Sequence, residues 1–247
     1  MALTEYPVVL VTGANRGLGK ETVRQLAARG WSVILGSRDF ASGEAAAREL
    51  GAAGVKPTAV RLDVTDADSV RDVADWLDVE YGRLDVLVNN AGTVVDRLAE
   101  DTTAADMRRH YEVNVFGAVT VTQAMLPLLG KSRAPRIVNV SSTTASMSLT
   151  SGGTDFGGDA ATRMAYSSSK TALNMLTVQY AKAFGRNEDL SHIKINSVTP
   201  GYTATDMTKH RGTRTVAEGA RAIVEFATLA DDGPTGGFFN DAGMVPW

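Results

Sequence analysis

The sequence predicts a single α/β domain, a doubly wound parallel sheet of about seven strands with helices on both faces. Short runs of Val, Ile and Leu alternate with longer amphipathic stretches along all 247 residues. The short runs show little polar–apolar alternation, which is typical of strands that are covered on both faces. A strand–helix alternation of this kind implies right-handed crossovers and therefore a parallel sheet.

The short apolar runs predict the strands and the stretches between them predict the helices. The predicted strands are residues 7–11, 31–35, 58–62, 84–88, 136–140, 193–198 and 237–239. The predicted helices are residues 17–28, 42–50, 66–76, 102–129, 163–184 and 217–229. Asp66 is the expected N-cap of the third helix, and the long fourth helix is expected to bend before Pro127. In such a sheet the ligand lies beyond the carboxyl ends of the strands, so the motifs should fall there.

Only one stretch breaks this alternation, and no domain boundary is predicted, so residues 1–247 are expected to form one dinucleotide-binding oxidoreductase domain. Residues 151–160 contain four glycines and two aspartates, which disfavours both a helix and a strand. We therefore expect residues 151–160 to form an inserted surface loop.

Composition excludes several classes of protein. The net charge of −3 and the scattered Lys and Arg give no reason to expect a nucleic-acid partner. The absence of cysteine excludes disulfides, thiolate catalysis and Cys-based zinc sites, and the scattered His110, His192 and His210 predict no metal site. Residues 1–6 lack the features of a signal peptide, and no apolar run approaches the roughly 20 residues that span a bilayer. We expect a cytoplasmic protein that binds neither nucleic acid nor membrane.

A glycine-rich turn follows the first strand and opens the first helix. Residues 12–19, Thr-Gly-Ala-Asn-Arg-Gly-Leu-Gly, allow a sharp turn at Gly13 and close packing at Gly17 and Gly19. The free N–H groups and partial positive charge of the helix N-terminus suit a pyrophosphate. The spacing differs from G-x-G-x-x-G, so a turn without a ligand is the alternative when the motif is read alone. The expected cofactor contacts are Gly13, Asn15, Arg16, Gly17, Leu18 and Gly19.

The end of the second strand indicates which dinucleotide is bound. An acid there would hold the ribose 2′-hydroxyl of NAD, whereas this chain has Gly36, Ser37 and Arg38 before its first acid, Asp39. Arg38 can pair with a 2′-phosphate, Ser37 can hydrogen-bond to it, and Arg16 lies on the same side of the adenosine. Two ordinary surface arginines are the alternative, but their joint position favours NADPH/NADP⁺ over NADH.

Tyr166 and Lys170 predict proton transfer. At i and i+4 they share one face of the predicted helix. The pKa of tyrosine is ordinarily near 10, and a nearby ammonium lowers it toward the working pH of a general acid. Lys170 can also hydrogen-bond the nicotinamide ribose. A Tyr and a Lys that share a helix face by chance are the alternative.

Three further positions support this interpretation. Ser142 follows the fifth strand, where its hydroxyl could hold and polarise a substrate carbonyl. Residues 89–92, Asn-Asn-Ala-Gly, follow the fourth strand and leave room for a cofactor. Asn114 lies in an apolar helical stretch, either as a satisfied structural residue or as the holder of a water in a proton relay.

Taken together, these motifs resemble the short-chain dehydrogenase/reductase superfamily over nearly the whole chain. They stand in the family's order: the glycine turn, Asp63-Val64, Asn89 to Gly92, Asn114, Ser142, Tyr166-x-x-x-Lys170 and Pro200-Gly201. The resemblance implies a catalytic tetrad of Asn114, Ser142, Tyr166 and Lys170. It also implies adenine contacts from Asp63 and Val64, ribose contacts from Asn90, Ala91 and Gly92, and nicotinamide contacts from Pro200, Gly201, Thr203 and Thr205.

Within that superfamily the chain is similar to the carbonyl-reductase branch. The similarity is carried by residues 33–39, 200–207 and 236–247. Ser142 and Tyr166 are 24 positions apart, about twice the usual separation, and residues 151–160 account for most of the excess. Carbonyl reductases carry a longer insert at this place, which covers the helix face that usually pairs subunits. The resemblance therefore favours a monomer or homodimer over a tetramer, and the insert is a candidate wall of the substrate pocket.

The sequence thus predicts an NADPH-dependent reductase or dehydrogenase that acts on a small-molecule carbonyl or secondary alcohol. Tyr166 would be its general acid/base. Two alternatives stay open: a non-catalytic NADP(H)-binding sensor, and an epimerase or dehydratase of the same superfamily. A pure sensor has no need of Tyr166 and Lys170 together, and epimerases tend to have longer C-terminal regions.

Overall fold

Eight strands form one sheet in the computed structural model, which describes residues 6–154, 156 and 162–247. The strands are β1 (Val8–Val11), β2 (Ser32–Ser37), β3 (Thr58–Arg61), β4 (Val86–Asn89), β5 (Arg136–Val140), β6 (Lys194–Val198), β7 (Phe238–Asn240) and β8 (Gly243–Met244). Their order across the sheet is 3-2-1-4-5-6-7-8. β1 to β7 are parallel, and β8 returns antiparallel to β7. The predicted fold class is confirmed, with one more strand than expected.

Helices cover both faces of the sheet. They are α1 (Gly17–Ala27), α2 (Phe40–Ala52), α3 (Ala67–Tyr81), α4 (Ala104–Tyr111), α5 (Gly117–Gly130), α6 (Met147–Ser151), α7 (Met164–Phe184) and α8 (Val216–Ala227). One buried apolar cluster joins the sheet to α1, α2 and α8, and a second joins it to α3, α5 and α7. Strands buried on both faces explain why the apolar runs lack alternation.

Local chemistry sets the helix boundaries. The predicted N-cap of α3 is confirmed, since the Asp66 side chain accepts hydrogen bonds from the backbone N–H groups of Asp68 and Ser69. α3 runs to Tyr81 rather than to residue 76, because the helix continues until Gly82, which takes the left-handed conformation at φ 68°.

The region predicted as one long helix is interrupted in an unexpected place. The irregularity was expected before Pro127, but Pro127 lies inside α5, and a π-helical segment at Glu112–Phe116 separates α4 from α5 instead. That segment carries Asn114, whose side chain bonds outward to other parts of the fold. Single π-helical turns of this kind are frequent at functional sites.

The stretch Ala104–Gly130 is long and apolar enough to span a membrane by length and composition alone, contrary to the expectation from apolar runs. Its apolar side chains Val121, Met125, Leu128 and Leu129 are buried in the second cluster. The stretch is therefore accounted for as a core helix of the domain.

The predicted loop at residues 151–160 is only partly described. Ser151 is the last residue of α6, a short helix that the sequence did not predict, and residues 152–154 leave it in a turn. Residues 155 and 157–160 lie outside the described residues. Phe156 is described and lies at the large cleft presented below.

Candidate active site

A cleft of about 1110 Å³ opens at the carboxyl ends of the parallel strands, where the strand order reverses between β1 and β4. Of the predicted tetrad, Ser142, Tyr166 and Lys170 line it. The predicted cofactor contacts that line it are Gly13, Asn15, Arg16, Gly17, Leu18, Gly19, Ser37, Arg38, Asp63, Val64, Asn90, Ala91, Gly92, Tyr166, Lys170, Pro200, Gly201, Thr203 and Thr205. The structure thus brings together every predicted site residue except Asn114, which lies behind the cleft wall.

The glycine turn is fixed to the end of β4 by hydrogen bonds between side chains and backbone groups. The Thr12 hydroxyl accepts hydrogen bonds from the backbone N–H groups of Asn90 and Ala91, at 3.0 and 2.9 Å. The Asn90 amide donates to the carbonyl oxygens of Thr12 and Gly13, at 2.8 and 3.0 Å. A Cβ on Gly19 would lie 2.5 Å from the Asn90 amide nitrogen, so only glycine fits. The Asn90 side chain therefore shapes the turn, beyond the ribose contact predicted for it.

The start of α1 suits an anion. The N-cap residue Arg16 makes no side-chain capping bond within the described chain, and the first turn contains no acid. Gly17 opens the helix at φ 54°. Free backbone N–H groups and the helix dipole therefore face the cleft, as a pyrophosphate would require.

Ser37, Arg38 and Asp39 form the corner at the end of β2 where the sequence predicts a 2′-phosphate contact. The Asp39 carboxylate caps α2 by accepting from the Ser42 N–H at 2.8 Å, and this bond lowers the pKa of Asp39. Arg38 is exposed, lines the cleft and forms no ion pair with the described residues. The buried Ser37 hydroxyl donates to the Asp39 carbonyl at 2.7 Å, so the bond predicted from it to a phosphate requires that hydroxyl to rotate. A free guanidinium and an occupied acid suit a 2′-phosphate.

Arg16 does not point freely at the same corner. Its guanidinium pairs with Asp206 at 3.2 Å, and Asp206 also contacts the His210 ring at 2.9 Å. These side chains are exposed, so the pairs contribute little to stability. They link the glycine turn to the segment after β6, on the opposite side of the cleft mouth.

The residues predicted to contact the adenine and the nicotinamide are held by local hydrogen bonds and packing. The Asp63 carboxylate accepts from the N–H and hydroxyl of Thr65, at 3.0 and 2.7 Å, and Val64 packs against Gly117. The Thr203 hydroxyl donates to the Pro200 carbonyl at 3.1 Å, while the Thr203 carbonyl accepts from Thr208 at 2.7 Å. The backbone around Thr203 is thus held by two hydrogen bonds.

Tyr166, Ser142 and Lys170 converge on the floor of the cleft. Tyr166 and Lys170 are 8% and 4% exposed on α7, and the Lys170 Nζ lies 6.0 Å from the centre of the Tyr166 ring. Nζ donates to the Val140 carbonyl at 2.8 Å. Ser142 follows β5, caps the short turn Thr143–Ala145, and lies close enough to the Tyr166 hydroxyl to lower the pKa of Tyr166.

The protonation balance differs from the sequence expectation. Burial raises the pKa of Tyr166, while the Ser142 hydrogen bond and the charge of Arg163 oppose that rise. Burial also lowers the pKa of Lys170 to about 8. In the protein alone, burial of Tyr166 therefore outweighs the groups that lower its pKa, and the lowering expected from Lys170 stays a prediction for the cofactor-bound protein.

Asn114 is a buried amide that makes three hydrogen bonds. Its oxygen accepts from the Thr93 N–H at 2.8 Å, and its nitrogen donates to the Thr93 carbonyl at 3.1 Å and to the Ser169 hydroxyl at 2.9 Å. Ser169 in turn donates to the carbonyl of Tyr166 at 2.6 Å. Asn114 therefore ties the strand-end segment to the turn of α7 that carries Tyr166.

Sequence reasoning missed two residues that shape this part of the cleft. Buried His110 accepts from the Val95 N–H at 3.0 Å through Nε2, and its Nδ1 lies 2.7 Å from the Asp106 carbonyl, so it orders residues 93–95 rather than binding metal. Arg163 lies three residues before Tyr166 and lines the cleft. Its position one turn before the tyrosine was the available signal for Arg163, whereas nothing in the sequence pointed to His110.

Comparisons of sequence agree with this geometry. A model of the short chain dehydrogenase family matches residues 7–215. Carbonyl reductase (NADPH) 1 of Bos taurus is 32% identical, over 97% of this chain and 98% of its own. Salutaridine reductase of Papaver bracteatum is 30% identical, over 96% of this chain and 95% of its own.

Solved structures show the same fold. The NADPH-bound carbonyl reductase from chicken fatty liver superposes with a TM-score of 0.83 at 27% identity, over 99% of this chain and 100% of its own. A 7α-hydroxysteroid dehydrogenase complexed with NADH and a 7-oxo bile acid superposes with a TM-score of 0.80 at 25% identity, over 96% and 93%. Neighbours of this fold thus include both NADPH and NADH complexes.

Proposed function

The chain belongs to the short chain dehydrogenase family, and we propose that it is an NADPH-dependent reductase of carbonyl compounds with Tyr166 as general acid. One observation carries the proposal: the buried Tyr166 lies with Ser142 and Lys170 in the cleft that the glycine turn also lines. The curated relatives named above are reductases, which supports the direction of the reaction.

The residues of the cleft fit a dinucleotide phosphate. The start of α1 would hold the pyrophosphate, Arg38 the 2′-phosphate, Asp63 and Val64 the adenine, and residues 200–205 the carboxamide. When bound, the reduced nicotinamide supplies the hydride that reaches the carbonyl carbon. The choice of NADPH over NADH rests on Arg38 being free while Asp39 is occupied as the cap of α2.

The side chains of the cleft then bind the substrate oxygen and transfer one proton to it. Ser142 holds the substrate oxygen by a hydrogen bond, and Tyr166 donates its hydroxyl proton to that oxygen as the alcohol forms. The high pKa of Tyr166 in the protein alone keeps the phenol protonated before reaction. Lys170 supports the phenolate that is left, and Asn114 positions α7 through Ser169. The predicted water relay would use the remaining lone pair of the Asn114 oxygen.

The test follows the absorbance of reduced nicotinamide with a panel of ketones, aldehydes and quinones. We expect turnover with NADPH and far slower turnover with NADH. Binding of NADPH without turnover of any carbonyl would favour the sensor instead. Conversion of substrate with no net change in nicotinamide absorbance would favour an epimerase or dehydratase. The Tyr166→Phe variant separates enzyme turnover from contaminants, because it should bind NADPH without oxidising it.

We further propose that the chain is a cytoplasmic monomer or homodimer. Light scattering during size-exclusion chromatography measures the mass directly, and a tetramer would contradict this.

Phe156 lies in the insert and lines the cleft, which supports a role for the insert in the substrate pocket. Deletion of residues 152–158 should change substrate preference, and an unchanged preference would argue against that role.

A further inference from the structure

Arg163 has an unusual position for a cation. It is the N-cap residue of α7, and its carbonyl accepts from the Ser167 N–H at 2.8 Å. A positive side chain at the positive end of a 21-residue helix is electrostatically unfavourable. Its side chain makes no capping bond among the described residues. Stabilisation of α7 therefore does not explain this arginine.

The Arg163 side chain is nevertheless held inside the cleft. It is 11% exposed, and its backbone forms a bridge with Arg97. Its Nε is buried and lies 3.5 Å from the Asp96 carboxylate as an ion pair, although it makes no hydrogen bond in the described part of the chain. A guanidinium carries five N–H donors in a rigid fork, so this pair leaves most of them available.

Arg163 also lies close to the reacting centre. It precedes Tyr166 by three residues at the start of α7, and both residues line the cleft. Its charge acts on the Tyr166 hydroxyl, lowering the pKa of that group against the larger effect of burial. A substrate whose carbonyl oxygen sits at Ser142 and Tyr166 would therefore present its adjacent atoms to Arg163.

We propose that Arg163 binds a second oxygen acceptor of the substrate, next to the carbonyl that is reduced. The substrates would then be carbonyl compounds with a neighbouring oxygen, as in vicinal diketones and 2-oxo acids; this rests on the function proposed above. Asp96 offsets part of the positive charge, so a neutral carbonyl and a carboxylate share the required chemistry. One carbonyl takes up the hydride from NADPH and a proton to become an alcohol, NADP⁺ is released, and the second oxygen is unchanged.

The test compares matched substrates in Arg163→Met and in a control variant. 1-Phenyl-1,2-propanedione and benzoylformate carry the second oxygen as a ketone and as a carboxylate, and propiophenone lacks it. We expect Arg163→Met to lower kcat/KM for the first two by about 10- to 100-fold more than for propiophenone, the range for a hydrogen bond to a charged group. Arg97→Met, which loses only an outer ion pair with Asp106, should leave the ratio of kcat/KM values unchanged.

The outcomes separate the roles that Arg163 could have. An equal loss on all three substrates, with a shift of the pH profile, would overturn the proposal and assign Arg163 to Tyr166 alone. Arg163→Lys keeps the charge but loses the fork, so it should restore the pH profile and only part of the substrate ratio. The substrate that loses more kcat/KM in Arg163→Met, the diketone or the 2-oxo acid, shows whether Arg163 recognises a neutral carbonyl or a carboxylate.

A binding measurement keeps this inference separate from the proposed reaction. Calorimetric titration of the cofactor-free protein with 1-phenyl-1,2-propanedione should show binding that Arg163→Met weakens at least about tenfold and Arg97→Met does not. Absence of turnover with binding intact would contradict the proposed reaction alone. Binding that is equal in wild type and Arg163→Met would overturn the role of Arg163.

Discussion

The two sides of the cleft are built in different ways. On the nucleotide side, Thr12, Gly13, Gly19 and Asn90 lock one turn against one strand end through backbone groups. On the reactive side, the ends of β4 and β5, the start of α7 and the segment after β6 each contribute side chains. The nucleotide side therefore depends on residues that are close in sequence or fixed by the sheet, whereas the reactive side depends on how separate segments pack.

Removing the proton donor should have the largest effect, and it tests whether the reactive side can be changed without affecting the nucleotide side. Tyr166→Phe should lower kcat for carbonyl reduction by about 10²- to 10⁴-fold, the usual contribution of a general acid. NADPH binding, followed by fluorescence titration, should be retained, because the nucleotide side does not depend on the hydroxyl. Turnover within tenfold of wild type would contradict the assignment of Tyr166.

The charge reversal Arg38→Asp tests the nucleotide side. It should weaken NADPH binding by about 10- to 100-fold, the range for loss of a charge-assisted hydrogen bond, and affect NADH binding far less. Dissociation constants for both nucleotides measure this. An equal loss for the two would mean that Arg38 does not contact the 2′-phosphate.

Lys170 links the reactive side to folding stability. The pKa of Lys170 falls from its ordinary value of 10.5 to about 8 in the folded protein, so below pH 8 the folded state contains a buried cation that disfavours folding. Lys170→Met should therefore raise the free energy of unfolding at pH 7 by about 2 kcal/mol, after allowance for the lost bond to Val140. The wild type gains stability from this group between pH 8 and 10.5, so the difference should shrink as the pH rises.

Urea denaturation at pH 7 and pH 9.5 tests this, with Lys182→Met as a control on the last turn of the same helix. Lys182→Met should not raise the free energy of unfolding comparably, because the Lys182 side chain is exposed rather than buried. A Lys170→Met protein that is less stable than wild type at both pH values would contradict the prediction.

The smallest effect is expected at the mouth of the cleft. Asp206→Asn should change the free energy of unfolding by less than about 1 kcal/mol, because its pair with Arg16 is exposed. It should also free Arg16 and tighten NADPH binding by about two- to threefold, or roughly 0.5 kcal/mol. Weaker NADPH binding in this variant would instead assign Asp206 to the closing of the mouth over the cofactor.

Local residue chemistry made much of the nucleotide side predictable. Asp66 caps α3 as expected, and the glycine turn, Arg38 and Asp63 all line the cleft. Such features depend on the conformational freedom of glycine, the capping ability of aspartate and the position of motifs at the carboxyl ends of parallel strands. Each of these can be recognised in a short stretch of sequence. The roles of Asn90 and Ser37 were less predictable, because a hydroxyl or amide bonds to whichever partner the fold brings near.

The apolar pattern of the sequence predicts the doubly wound sheet, and its motifs predict many of the residues that line the cleft, although not Arg163. The protonation of these residues and their hydrogen-bond partners follow only from the packing of the folded chain. Burial raises the pKa of Tyr166 and lowers that of Lys170. The Asn114 amide hydrogen-bonds Thr93 and Ser169. Arg163 is paired with Asp96 and lines the cleft. The physical reason is that apolar periodicity is a local property of the chain, whereas desolvation and hydrogen-bond pairing depend on atoms that are distant in sequence.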